Sequence, residues 1–107
     1  GLTQAAVGPE ALATLATLRV DTAVIGANGL SARHGLSTPD PEEAATKRAM
    51  VAAADRVVVL LDSSKVGQEH LVSFAPLDAI DVLVTDRPLP TSLHTAITTT
   101  GAEVLTT

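Results

Sequence analysis

Val57-Val58-Val59-Leu60-Leu61-Asp62-Ser63-Ser64-Lys65-Val66-Gly67 sets five unbroken apolar residues directly against a polar cluster that holds one cation. The apolar run is short, β-branched at its start and free of polar/apolar alternation, which predicts a parallel strand covered on both faces. In open α/β sheets, ligands bind beyond the carboxyl ends of such strands. Asp62, Ser63, Ser64 and Lys65 fall at that end, and their carboxylate, hydroxyls and ammonium suit a polyhydroxylated anionic small molecule.

The flanking segments extend the same pattern. Upstream, Asp21 to Ile25 reads as a strand leading into Gly26-Ala27-Asn28-Gly29, turn residues that permit unusual backbone angles and close approach of a ligand. Leu30 to Thr38 reads as a loop holding Arg33 and His34. Pro39-Asp40-Pro41-Glu42-Glu43 then announces a helix to about Ala54, with Asp40 as cap, Pro41 in the first turn and Glu43 placed for a capping box. Ala45, Ala49, Ala52 and Ala53 give it a smooth face, and Lys47 and Arg48 sit in its middle. Gly8 and Pro9 open an earlier helix with an apolar stripe of Leu12, Leu15 and Leu18. Ala5-Ala6-Val7 has the look of the end of an element begun further upstream.

Downstream, Gly67 to Ser73 is polar apart from Leu71 and Val72, and Phe74-Ala75-Pro76-Leu77 reads as a turn or the start of a short helix. Asp81 to Thr85 forms a further strand ending at Asp86 and Arg87. Pro88 and Pro90 start a last helix through about Thr100, Gly101 stops it, and Ala102 to Thr106 completes the sheet. The alternation predicts one α/β domain over 1–107, an open parallel Rossmann-like sheet with strands near 21–25, 56–61, 81–85 and 102–106 and helices on its faces in three layers. A four-stranded sheet that begins with a helix is expected to lack its first β-α units, to expose an edge or an apolar patch, and to self-associate there.

Composition narrows the partners. Apolar residues make up 46% of the 107 but aromatics only 1%, so Phe74 stands in a core of Ala, Val, Leu and Ile. The net charge is −5 and the seven Lys and Arg form no cluster, so these residues by themselves are not expected to bind DNA or anionic membranes. The absence of Cys excludes disulfides and thiolate metal sites. No apolar run approaches the ~18 residues of a membrane span, and a cytoplasmic location is expected.

Each candidate has an ordinary reading beside the functional one. Lys65 stands where an ammonium, aided by Ser63, Ser64 and backbone N–H groups, would meet a phosphate; a solvated loop lysine is equally open. Asp62 either binds a sugar hydroxyl or forms a turn with its own backbone, the latter slightly favoured by position. Gly26 to Gly29 lacks the G-x-G-x-x-G spacing of a dinucleotide site, and Asn28 either offers its amide or tolerates a left-handed turn. Lys47, within a helix, is expected to face solvent. His34, His70 and His94 are too scattered for a metal motif and read as surface residues. No G-x-S-x-G elbow supports nucleophilic hydrolysis.

Six blocks resemble, in order and spacing, the C-terminal effector domain of DeoR-family bacterial transcriptional regulators. They are Val7-Gly8-Pro9-Glu10-Ala11, Asp21 to Gly29, Gly35-Leu36-Ser37-Thr38-Pro39-Asp40, Ala44-Ala45-Thr46-Lys47-Arg48-Ala49-Met50, Asp62 to Gly67 and Asp81 to Asp86. The resemblance implies a fold shared with ribose-5-phosphate isomerase, glucosamine-6-phosphate deaminase and CoA transferases, and a repressor of sugar metabolism relieved by a phosphorylated sugar or related metabolite. Those enzymes carry a similar Asp-x-Ser-Lys turn, which maps onto Asp62, Ser64 and Lys65. By that resemblance Lys65 becomes the principal phosphate ligand, Lys47 a second pocket cation, and Asn28 and Gly29 a pocket wall. No cofactor, metal or catalytic residue is implied. Val66 departs from the aromatic frequent at its position in the family, and the winged helix-turn-helix that would contact DNA has no counterpart in these residues. The competing reading is an isomerase- or deaminase-like enzyme on the same fold. The loop between Gly29 and Asp40 contains no Asp or Glu to serve as its base, which leaves Asp62 alone.

Overall fold

The computed structural model describes residues 8–107; the Ala5-Ala6-Val7 stretch and the first residue of the opening resemblance block lie outside the described residues. In chain order the elements are α1 (Pro9–Leu15), β1 (Val20–Ile25), β2 (Gly29–Ser31), β3 (Gly35–Thr38), α2 (Pro41–Ala53), β4 (Ala54–Leu61), β5 (Val72–Ala75), β6 (Val82–Thr85), α3 (Thr91–Thr99) and β7 (Glu103–Thr106). Single 3₁₀ turns occupy Ser63–Lys65 and Leu77–Ala79.

β1, β4, β6 and β7 form one open sheet in that order, parallel throughout. All four strands lie where the sequence predicts them. Asp81 fixes the start of β6 against β4: its N–H donates to the Val57 carbonyl at 3.0 Å, and its Oδ2 accepts from Val57 N–H at 2.7 Å.

The expectation that β4 is covered on both faces is corrected. Val57, Val59 and Leu61 are buried, whereas Leu60 between them is 52% exposed, and Val24 on the neighbouring β1 is 56% exposed. Ala44 of α2 and Leu93 and Ile97 of α3 join one core cluster with Val59 and Leu83, so both helices pack on the same face. Helices on both faces of the parallel sheet, as in the expected three-layer arrangement, are thus not seen among the described residues. An unbroken apolar run does not separate one covered face from two, because the pleat alone decides which residues point where.

Helix boundaries follow from local chemistry. Asp40 Oδ1 accepts from Glu42 N–H at 2.9 Å, which caps α2, with Pro41 at its first position. Gly101, at φ +97°, follows the end of α3. α1 stops at Leu15, short of the expected Leu18, where the Thr17 N–H and hydroxyl both bond back to the Thr14 carbonyl.

A second, antiparallel sheet of order β2-β3-β5 occupies the segments read as a loop over Leu30 to Thr38 and as a turn at Phe74. Its strands are three or four residues long, too short to show alternation, and β5 pairs with β3 from far along the chain. Leu30 and Leu36 are fully buried in it and Phe74 nearly so. Gly35 turns the hairpin at φ +69°, and a Cβ there would stand 2.2 Å from the Ala75 carbonyl oxygen. Only glycine fits both demands.

Candidate functional site

Parallel strands deliver their carboxyl ends to one edge of the sheet, and here those of β4 and β6 lie side by side. The pairing of Leu61 with Thr85 makes Asp62 and Asp86 the next residues of neighbouring strands. Two carboxylates so placed repel unless each is satisfied locally. Asp62 Oδ1 accepts from Ser64 N–H at 2.9 Å, and Asp86 accepts from Ser63 N–H at 2.6 Å and from the Ser63 hydroxyl at 3.0 Å. The Ser63 N–H first, and its hydroxyl second, hold the Asp86 carboxyl below its ordinary range.

The turn-forming reading of Asp62 is therefore the observed one, and it leaves Asp62 Oδ2 unengaged among the described residues. One expectation fails here: the turn's backbone N–H groups do not form an anion cradle. Those of Ser63 and Ser64 go to carboxylates, that of Lys65 to the Asp62 carbonyl, and that of Val66 to the Ser63 carbonyl. What remains for a ligand is side-chain chemistry. Lys65 is half-buried, and its ammonium has no partner among the described residues.

Two clefts open at this edge. One, of about 580 Å³, is lined by Asp62, Ser63, Ser64, Asp86, Arg87 and Pro90. The other, of about 480 Å³, lies between the ends of β4, β6 and β7 and shares Asp62 and Asp86 with the first. Asp62 and Ser64 thus meet Asp86 and Arg87, as the carboxyl ends of neighbouring parallel strands should, while the β1 end, Gly26 to Gly29, lines neither cleft.

The remaining candidates lie elsewhere. Lys47 is not the solvated helix lysine: its side chain is 12% exposed, its ammonium pairs with Glu43 at 2.9 Å, donates to the Gly26 carbonyl at 2.8 Å and lies 5.4 Å from the Phe74 ring centroid. Its helical position says nothing of β1, whose end supplies that carbonyl. Gly29 is buried, and a Cβ there would meet the Gln68 carbonyl oxygen at 2.4 Å; the close approach is made by the chain itself. Asn28 is not left-handed, since no non-glycine residue among those described has positive φ. Its N–H donates to the Ser37 carbonyl and its carbonyl accepts from His70. Neither cleft is lined by Asn28, Gly29, Lys47 or Lys65.

His34 and His70 also depart from the surface reading. Both are half-buried, with Nε2 at 2.7 Å from the His70 carbonyl and 3.0 Å from the Asn28 carbonyl respectively, donors in that tautomer; His94 is exposed. Among the described residues no three metal-ligating side chains come together. None of their helices is long and apolar enough to cross a membrane. Ser63 and the Thr85 to Arg87 strand end lie at the edge where the sequence reading expects them, but the individual parts of Thr85, Asp86 and Arg87 in the clefts are not assigned by it. The matching apolar-then-Asp endings of the two central strands are the signal that pairs Asp62 with Asp86.

Comparison with known proteins places the chain in a family. The profile of the DeoR C terminal sensor domain matches residues 2–87. The chain belongs to that family. It is 37% identical over 103 residues to the HTH-type transcriptional regulator GlpR of Haloferax volcanii, covering 96% of this chain and 40% of that protein. It is 34% identical over 100 residues to the HTH-type transcriptional repressor GlcR of Bacillus subtilis, covering 94% and 38%. The Glycerol-3-phosphate regulon repressor of Escherichia coli is 28% identical over 92 residues, covering 86% and 36%. The chain thus spans about two fifths of the length of these relatives. A sensor family and regulator relatives identify a sensor domain and not an enzyme, which sets aside the isomerase or deaminase alternative.

Proposed function

We propose that the chain is the effector-binding domain of a DeoR-type repressor of sugar-metabolism genes, and that its effector is a phosphorylated sugar or a related metabolite. The observation that carries this reading is the Asp62-Ser63-Ser64-Lys65 turn at the carboxyl edge of the parallel sheet, in which an unpartnered ammonium follows directly on Ser64, and Asp62 and Ser64 line a cleft. A relative named for a glycerol-3-phosphate regulon supports a phosphorylated effector. Lys65 meets the phosphate as a point charge, Ser64 adds its hydroxyl, and Asp62 Oδ2 accepts from a ligand hydroxyl. Asn28, Gly29 and Lys47 line neither cleft, so in this reading they support the end of β1 and do not touch the effector. The fold reading extends to the sugar-phosphate isomerase, deaminase and CoA transferase group.

Effector binding shifts a population between DNA-competent and incompetent arrangements of a cytoplasmic homo-oligomer, with DNA held by a separate winged helix-turn-helix. Calorimetric titration of the full-length regulator with pentose, hexose and glycerol phosphates tests the site. Lys65→Ala weakens binding by about 1.5–3 kcal/mol, the range for a hydrogen bond to a charged group, at least about tenfold. Lys65→Arg restores it only in part, because a planar fork does not replace a compact ammonium. Unchanged affinity in Lys65→Ala removes this turn from the effector site.

A further inference from the structure

Thr85 ends β6 with a buried hydroxyl that has no use within the described residues. It is 2% exposed, and its Oγ1 is the one buried side-chain polar atom among them without a hydrogen-bond partner. Its backbone, by contrast, is fully engaged, the carbonyl accepting from both the N–H and the hydroxyl of Thr107. Burying a hydroxyl without a partner is unfavourable, and a valine of the same shape would avoid that cost. The residue lines the cleft of about 480 Å³ between the ends of β4, β6 and β7.

The lining restricts what enters. Leu60, Leu61 and Val84 supply apolar surface, and Asp62 and Asp86 bring two carboxylates with no lysine or arginine beside them, which disfavours an anionic group here, whereas Arg87 joins the same carboxylates in the neighbouring cleft. The unengaged Asp62 Oδ2 accepts, and a threonine hydroxyl both donates and accepts. A neutral group bearing adjacent hydroxyls satisfies both.

We propose that this cleft is the subsite for the neutral, hydroxyl-bearing end of the effector, with the Thr85 hydroxyl as its hydrogen-bond partner and Asp62 Oδ2 as acceptor for a neighbouring hydroxyl. This rests on the sugar-phosphate reading above and adds the orientation: the charged end lies toward Lys65 and Arg87, the polyol end toward Thr85.

The test uses Thr85→Val and Thr85→Ser in the full-length regulator, with two readouts. Without ligand, Thr85→Val raises the melting temperature of this domain by about 4–8 °C, because it removes an unsatisfied hydroxyl. Glycerol 3-phosphate, ribose 5-phosphate, glucose 6-phosphate and fructose 1-phosphate are then titrated by calorimetry beside inorganic phosphate. For the tightest binder, Thr85→Val loses about tenfold in affinity, Thr85→Ser stays within about threefold, and inorganic phosphate binds all three proteins alike. Wild-type affinity for that compound in Thr85→Val, or a lowered melting temperature, overturns the subsite and leaves the sensor reading standing. Equal losses for the sugar phosphate and inorganic phosphate overturn the orientation. A wild-type protein that binds none of the sugar phosphates overturns the sensor reading and the subsite together.

Discussion

Lys47 and Lys65 carry the same ammonium into opposite situations. Lys47 is committed to Glu43 and to the Gly26 carbonyl and packs near Phe74, whereas Lys65 is unpartnered among the described residues. Lys47→Met removes a charge-assisted bond at the junction of α2 and β1 and is expected to cost about 1.5–3 kcal/mol of stability. Lys65→Ala is expected to stay within about 0.5 kcal/mol, as for a side chain with no specific partner. Urea denaturation of both variants decides, and equal destabilisation would show Lys65 to be structural. The Glu43–Lys47 pair was readable in advance, since glutamate four residues before lysine is the favoured order on a helix. The Gly26 carbonyl was not, because it belongs to another element.

Two of the three glycines at positive φ among the described residues, Gly35 and Gly101, separate backbone strain from crowding. At Gly35, a Cβ would meet the Ala75 carbonyl at 2.2 Å on top of a φ of +69°; at Gly101, φ is +97° and nothing lies within 4 Å. Gly101→Ala is expected to cost about 1–2 kcal/mol, the left-handed penalty alone. Gly35→Ala is expected to cost more than about 3 kcal/mol, because β3 and β5 must also part. Similar denaturation midpoints for the two variants would contradict the described contact between β3 and Ala75. This contrast also shows why the parallel sheet was legible and the small one was not. β1, β4, β6 and β7 announce themselves by apolar runs, and α2 by Pro39-Asp40-Pro41. β2, β3 and β5 exist through pairing between residues as distant as Leu36 and Ala75, and no local pattern encodes that. The site divides likewise: the Asp62 turn is local and readable, but its union with Asp86 depends on strand order.

Across the domain, two carboxylates join parts that the hydrophobic core does not. Asp86 ties the end of β6 to the turn after β4, and Glu69 ties the segment following that turn to the β2–β3 hairpin through Arg33 and Ser31. The Arg33 guanidinium first, and the Ser31 hydroxyl second, lower the Glu69 carboxyl from 4.5 to about 2. A carboxyl depressed in the folded state contributes stability that is fully present above its ordinary value and is lost as pH falls through the folded one. For Glu69 that window runs from pH 4.5 down to about 2, and Asp86 adds a loss of the same sign at low pH. Arg33 is 85% exposed, so added salt is expected to shrink the Glu69 contribution, while Asp86, held by Ser63 and not by an ion pair, responds less. Urea midpoints measured from pH 7 to 2.5 check this: the wild type declines below pH 4.5, and Glu69→Gln starts slightly lower but declines less, the difference being small for so exposed a pair. Parallel curves for the two proteins would show that the Arg33–Glu69 contact does not persist in solution.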